Sequence, residues 1–275
     1  MFPALQDASK ANSELKRSVS VMAVKFAVAS ETWQDDTLSK YLADFLNLLR
    51  DESIKVVHST LITLNTIAHH HNSMLRNTSF KDLWVTLFDH TKVRDDLKRT
   101  VNLGPFKEKI DDGLPIRKAA YTCILTMLTT MPSQVDVNRF ASYLASGLAE
   151  RESDVKMLCY QIMTKICSMM NARDVLMPVL DNLMVPLSRT INKRLDKVLK
   201  AKANEASIQR VRQLLFSAVR AVEALSEIES VHSNSKFLAL WSTLKKNNVA
   251  STNIAGSSRG DDDGDDDGDD KMDIL

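Results

Sequence analysis

Along most of the chain, apolar residues recur at spacings of three and four, the period of a helical face rather than of a strand. Leu38, Tyr41, Leu42, Phe45 and Leu49 form one such face. Leu83, Trp84, Leu87 and Phe88 form a second, Phe140, Tyr143, Leu144 and Leu148 a third, and Val175, Leu176, Val179, Leu180 and Leu183 a fourth. Each predicts the first helix of a pair. The segments that follow, Leu61–Ala68, Tyr121–Met131 and Met157–Met170, are apolar almost all round, which predicts an inner layer packed on both sides. Asp51-Glu52-Ser53 and Glu152-Ser153-Asp154 offer N-cap residues ahead of second helices. Phe237, Leu238, Trp241 and Leu244 mark a last amphipathic helix.

The pairs repeat. An aliphatic residue followed by one or two basic ones opens an apolar helix at Leu15-Lys16-Arg17, Ile54-Lys55, Ile116-Arg117-Lys118, Val155-Lys156 and Val211-Arg212. Two of the four gaps are 39 residues, and the other two fit that period plus inserts. A period near 40 with two helices per unit predicts an all-α, HEAT-repeat α-solenoid of about five helix pairs. The basic residues are candidate rungs of a charge ladder between neighbouring repeats. About a dozen residues precede Leu15, too few for a full outer helix. Solenoids need polar caps at their ends, so the first unit reads as a piece of a longer array or a truncated product.

One stretch breaks the helical pattern. In Thr100–Ala120, Val101 and Leu103 lead into Gly104-Pro105, and Phe106, Lys107 and Ile110 follow before Asp111-Asp112-Gly113. Gly-Pro punctuates a turn and Asp-Asp-Gly ends a second strand, so a β-hairpin insert is predicted over about 95–112. Pro115 then sits where a helix starts. A loop between helices is the competing reading. A two-stranded insert adds nothing to a helical core, so it is a candidate for a projecting, partner-touching element.

Charge divides the chain. Net charge is +1, yet residues 261–275 hold nine Asp and one Lys; the remaining 260 residues carry 35 basic and 26 acidic side chains, a net of +9. The expected organisation is a solenoid over 1–248, with a basic insert at about 189–207, and a disordered Asp/Gly-rich tail over 249–275. Lys193, Arg194, Lys197, Lys200 and Lys202 in the insert are a possible second docking patch for an acidic partner. The basic body lacks the aromatic interleaving of a nucleic-acid binder. No secretory signal is visible and no apolar run reaches 18 residues, so the cytoplasm and nucleus are expected, with no membrane partner.

Candidate chemistry is sparse. Cys123, Cys159 and Cys167 lie on apolar helical segments and read as core thiols. His69-His70-His71 would point three imidazoles in different directions on a helix, which argues against a shared metal. Asp111-Asp112 has no base–nucleophile pair beside it and reads as turn chemistry. No phosphate loop or nucleophile elbow occurs. No catalytic residue, metal or cofactor is expected.

The segment NLGPFKEKIDDGLPIRKAAYTC resembles the C-terminal region of the cullin-associated, neddylation-dissociated proteins, the HEAT-repeat TATA-binding-protein-interacting family. The likeness is carried by Gly104, Pro105, Phe106, Lys107, Asp111, Asp112, Gly113, Leu114, Ile116, Arg117, Lys118, Ala119, Ala120 and Cys123, and extends in weaker form over roughly 15–245. It implies a non-catalytic scaffold, monomeric, that binds the N-terminal domain of a cullin and displaces the adaptor and substrate-receptor module of a cullin–RING ubiquitin ligase. Val101, Leu103, Gly104, Pro105, Phe106, Lys107 and Ile110 would make the contact, with Phe106 at the tip. Pro115 stands where the family carries an acidic residue, and neither the family's N-terminal arch nor a match to the Asp/Gly tail is found here. The alternative is a general or transport-type HEAT scaffold for another acidic partner.

Overall fold

The computed structural model describes residues 2–30, 42, 44–76, 81–199, 205–247 and 249. Its helices are α1 (Phe2–Ser9), α2 (Glu14–Ala29), α3 (Ile54–His70), α4 (Asn72–Arg76), α5 (Lys81–Asp89), α6 (Leu114–Thr130), α7 (Val137–Ala149), α8 (Ser153–Cys167), α9 (Ala172–Leu176), α10 (Leu180–Leu199), α11 (Glu205–Ser226) and α12 (Ser235–Lys246). A helical stretch at 44–47 runs into the 3-10 turn Leu48–Arg50. Two strands, β1 (Lys98–Leu103) and β2 (Phe106–Asp111), stand between α5 and α6.

The helices stack in two layers. α2, α3, α6, α8 and α11 pack one on the next as an inner row. The 44–50 stretch, α5, α7, α10 and α12 form the other row, α10 touching both α7 and α12. This is the solenoid of about five pairs that the repeat period predicts. The inner helices are apolar on two sides because each has a neighbour on two sides. In α3, Val56, Val57, Thr60, Leu61, Thr63, Leu64, Ile67 and Ala68 are all buried. The two threonines return their hydroxyls to carbonyls one turn back, Thr60 to Val56 at 2.8 Å and Thr63 to Ser59 at 2.9 Å, so neither is an unpaired polar group in the core. Where α7 meets α6 and α8, a side chain would not fit. A methyl on Gly147 would collide with the Tyr121 ring, 2.8 Å from its Cζ, and with the Cys159 sulfur.

Several local expectations are corrected. Val175 to Leu183 is not one helix: α9 ends at Leu176, a 3-10 turn spans Met177–Val179 with Pro178 in it, and α10 restarts at Leu180. Proline lacks the N–H that would continue the ladder. The second helix of the fourth pair stops at Cys167, leaving Met170 fully exposed. Leu238 faces outward from α12, while Phe237, Leu240 and Leu244 are buried. Ser53 and Glu152 occupy cap positions without side-chain cap bonds; Asp136 and Asn234 supply those, accepting from the Arg139 and Phe237 amides. The basic residues at 189–199 are helical, as part of α10. Leu38, Tyr41, Lys200, Lys202 and the Asp/Gly tail lie outside the described residues. Among the described residues no helix is long and apolar enough to cross a membrane.

Candidate functional site

β1 and β2 pair antiparallel with Leu103 opposite Phe106, which leaves Gly104-Pro105 as a two-residue loop. Gly104 has φ +66°, at the position where a type II′ hairpin turn calls for glycine. The register sorts the positions. Arg99↔Ile110, Val101↔Glu108 and Leu103↔Phe106 fall on one face; Lys98↔Asp111, Thr100↔Lys109 and Asn102↔Lys107 fall on the other. Positions 101, 103, 106 and 110 therefore share a face. Lys107, grouped with them by sequence, belongs to the opposite, lysine-rich face. Phe106 is 74% exposed at the turn, with Gly104 and Pro105 exposed beside it, and Val101 and Ile110 are partly covered nearer the base.

A hairpin alone in water is marginal. This one is fixed at its foot. Asp111, the last residue of β2, takes two bonds from Arg117 at 3.2 and 2.8 Å and a third from the Gly113 amide at 3.1 Å. The Arg117 guanidinium is 2% exposed and also donates to Glu150 at 3.2 Å, ahead of α8 in the next repeat. One buried cation thus ties the hairpin to two successive repeats. The Arg117 hydrogen bonds hold the Asp111 carboxyl below the ordinary carboxylate range, against the upward pull of burial. Arg99 pairs with Asp112 at 2.6 Å, and the Asp112 amide donates to the Leu97 carbonyl at 3.0 Å. A cleft of about 340 Å³ opens beneath this foot, lined by Arg50, Asp51, His90, Arg94, Leu97 and Arg117 among others. Burial lowers the His90 pKa, and its Nε2 lies 2.7 Å from the Leu49 carbonyl, so the neutral ring carries its proton there.

Arg117 belongs to a series. Arg17, the fourth residue of α2, binds Asp51 through two nitrogens at 2.7 and 2.9 Å. Lys55 approaches Glu14 at 3.4 Å, and Lys118 pairs with Asp154. Lys156, the fourth residue of α8, has Thr190 instead of an acid, at 3.0 Å. The expected charge ladder is present at Arg17, Lys55, Arg117 and Lys118, and Lys156 lacks the acid. Its acidic rungs, Asp51 and Glu150, were not anticipated; the signal was an acid just ahead of a second helix in two repeats.

The other candidates separate from this site. Lys193 is exposed and Arg194 half-buried on α10, and Lys197 lies one turn further along the same helix. His69 and His70 are exposed at the end of α3, their rings edge to face at 4.8 Å. Among the described residues no three His, Cys, Asp or Glu are placed to hold a metal. Burial pushes the Cys123 and Cys159 thiols far above their ordinary value and Cys167 up to about 12, so none is a thiolate at neutral pH.

The family model for TIP120, TATA-binding protein interacting (TIP20), matches residues 75–245, which include the hairpin and both helices that flank it. The chain belongs to this family. A relative from Dictyostelium discoideum, "Cullin-associated NEDD8-dissociated protein 1", is 33% identical over 93% of this chain and 20% of its own length. "Cullin-associated NEDD8-dissociated protein 2" of Mus musculus is 31% identical over 82% and 18%. A protein of Emericella nidulans named as the C-terminal part of cullin-associated NEDD8-dissociated protein 1 is 28% identical over 56% and 15%. The chain spans about a fifth of the length of the first of these relatives. Among solved structures, yeast importin-beta (Kap95p) superposes with TM-score 0.58 at 11% identity over 89% of this chain and 28% of that one. A designed armadillo repeat protein gives 0.54 at 12% identity over 96% and 94%. At such identities the likeness is one of fold.

Proposed function

We propose that this chain is a non-catalytic scaffold that binds the N-terminal domain of a cullin and uses the hairpin to displace the adaptor and its substrate receptor. The observation that carries the reading is the hairpin itself: an amphipathic ribbon with an exposed Phe106 at its tip, held by a buried arginine to two repeats. Membership in a family whose relatives are named cullin-associated supports the choice of partner. An apolar tip that stays ordered in the free protein gives up little entropy when it enters a groove, so most of its burial is available for binding. Covering Phe106 contributes on the order of 2–3 kcal/mol. Adaptor and hairpin then exclude one another from one surface, each lowering the other's apparent affinity.

The test is competition on an immobilised cullin N-terminal domain carrying prebound adaptor. The intact chain releases adaptor. Phe106→Asp still binds free cullin through the solenoid and releases adaptor roughly 30- to 150-fold less well, the equivalent of that energy. Equal release by the variant would overturn the hairpin's role. Failure of the intact chain to bind any cullin would overturn the choice of partner.

A further inference from the structure

The ladder along the edge of the solenoid is incomplete at Lys156. In α2 and α6 the fourth residue is an arginine whose guanidinium meets a carboxylate ahead of the next inner helix, Asp51 or Glu150. At the same place in α8, Lys156 meets the Thr190 hydroxyl, because α10 continues as helix past that level to Leu199. At that level the helix brings more cations, and its acid Asp196 lies beyond them, past Arg194. Lys193 lies one turn beyond Arg189 and Arg194 one turn beyond Thr190 on α10, and all three cations act on Lys156. Among the described residues no carboxylate forms an ion pair with any of these four cations. Glu150 is the acid that acts on Lys156, and it is already committed to Arg117. Burial, and then these neighbours, lower the Lys156 pKa, and Glu150 offsets them only in part.

We propose that the Asp-rich segment 261–270 of this same chain docks on the cluster Lys156–Arg189–Lys193–Arg194 and supplies the carboxylates that the ladder lacks there. The segment holds eight Asp in ten residues, broken only by single glycines. It is also within reach. α12 begins beside α10, where Asn234 donates to Asp181 at 3.0 Å and Lys236 approaches it at 3.4 Å. Asp181 and Lys193 are twelve residues apart on one helix, about 18 Å, and α12 is itself about 18 Å long. Asn247 therefore lies within roughly 40 Å of Lys193 whatever the direction of α12. The thirteen residues between Asn247 and Asp261 span up to about 45 Å. Tethering makes the encounter intramolecular, which favours weak, salt-sensitive pairs over the same pairs made between separate chains. The docked segment screens this edge from other acidic surfaces. The inference does not depend on the cullin reading.

Zero-length carbodiimide coupling tests it on the full chain. A 1:1 mixture of ¹⁵N-labelled and unlabelled protein separates coupling within one chain from coupling between chains. At low salt, Asp residues of 261–270 should couple within the chain to Lys193 at least fivefold more than to Lys16, Lys25 or Lys55. The preference should vanish in 0.5 M NaCl and in Arg189→Gln/Arg194→Gln, both of which leave the control lysines unchanged. Equal coupling to all four lysines, or coupling only between chains, would overturn the proposal. A second arm leaves the folded body untouched. With all eight Asp changed to Asn, a fluorescent octa-aspartate peptide should bind at least threefold more tightly than to the unaltered chain. Equal affinity would show that the segment does not occupy the cluster, and that an acidic partner from elsewhere has free access to it.

Discussion

Replacing Arg117 by methionine removes the buried cation that joins the hairpin to its own repeat and to the next one. The side chain is 2% exposed and satisfies Asp111 twice and Glu150 once. Methionine fills most of the volume, so the cost comes from two carboxylates left without a cation. Removing one partner of a fully buried pair costs about 3–5 kcal/mol. Asp111 and Glu150 are 25% and 11% exposed, so water recovers part of that, and about 3 kcal/mol is expected. For a chain of this size that lowers the unfolding midpoint by roughly 6–12 °C. Repeat arrays open locally before they unfold globally, so hydrogen exchange is the sharper assay. Amides of β1 and β2 should exchange at the rate of a free hairpin, while α11 and α12 keep their protection. The pH response has a definite sign. Because the folded Asp111 pKa is lowered, its contribution is complete above the unfolded carboxylate value, near 4, and is lost as pH falls through the lower folded value. Arg117→Met should therefore narrow its deficit against the parent as pH falls from 5 towards 2. A midpoint within about 1 °C of the parent, together with unchanged hairpin exchange, would refute the anchoring argument.

Further consequences are open to the same methods. Gly104→Ala meets no steric obstacle but forces a β-carbon into the left-handed region, and should weaken the hairpin by about 1 kcal/mol, read as faster exchange across β1 and β2 with an unchanged global midpoint. Gly147→Ala should lower the midpoint by several degrees, since its new methyl must displace the Tyr121 ring or the Cys159 sulfur, an overpacking that costs about 1–3 kcal/mol. Arg17→Met should free α1, because Arg17 holds the Ala11 and Asn12 carbonyls at 3.0 Å as well as Asp51; protease nicking near residue 12 should report it. Burial raises the Asp51 carboxyl, and the Arg17 hydrogen bond and Ser53 amide more than offset this, so Arg17→Met should also reduce the parent's loss of stability between pH 5 and 2.

The helical period, the repeat spacing and the pairing of amphipathic with all-apolar segments were legible in the residues themselves. Each inner helix packs on the inner helices of the adjacent repeats, so an apolar helix on a two-helix period of about 40 residues already signals a stacked array. The hairpin could be read for a related reason: Gly104-Pro105 and Asp111-Asp112-Gly113 are local turn chemistry, which needs no distant contact to act. The face each hairpin residue occupies needed the register, since a shift of one position would have sent Lys107 and Phe106 to opposite sides from those they hold. Pairings between residues 33 or 34 apart, such as Arg117 with Glu150 and Arg17 with Asp51, arise only once consecutive repeats are stacked; a lone acid ahead of a helix reads equally well as a cap. Stacking alone also decided that Lys156 meets a threonine and three cations, because that depends on how far α10 runs past the rung, a length the polar face of the helix does not declare.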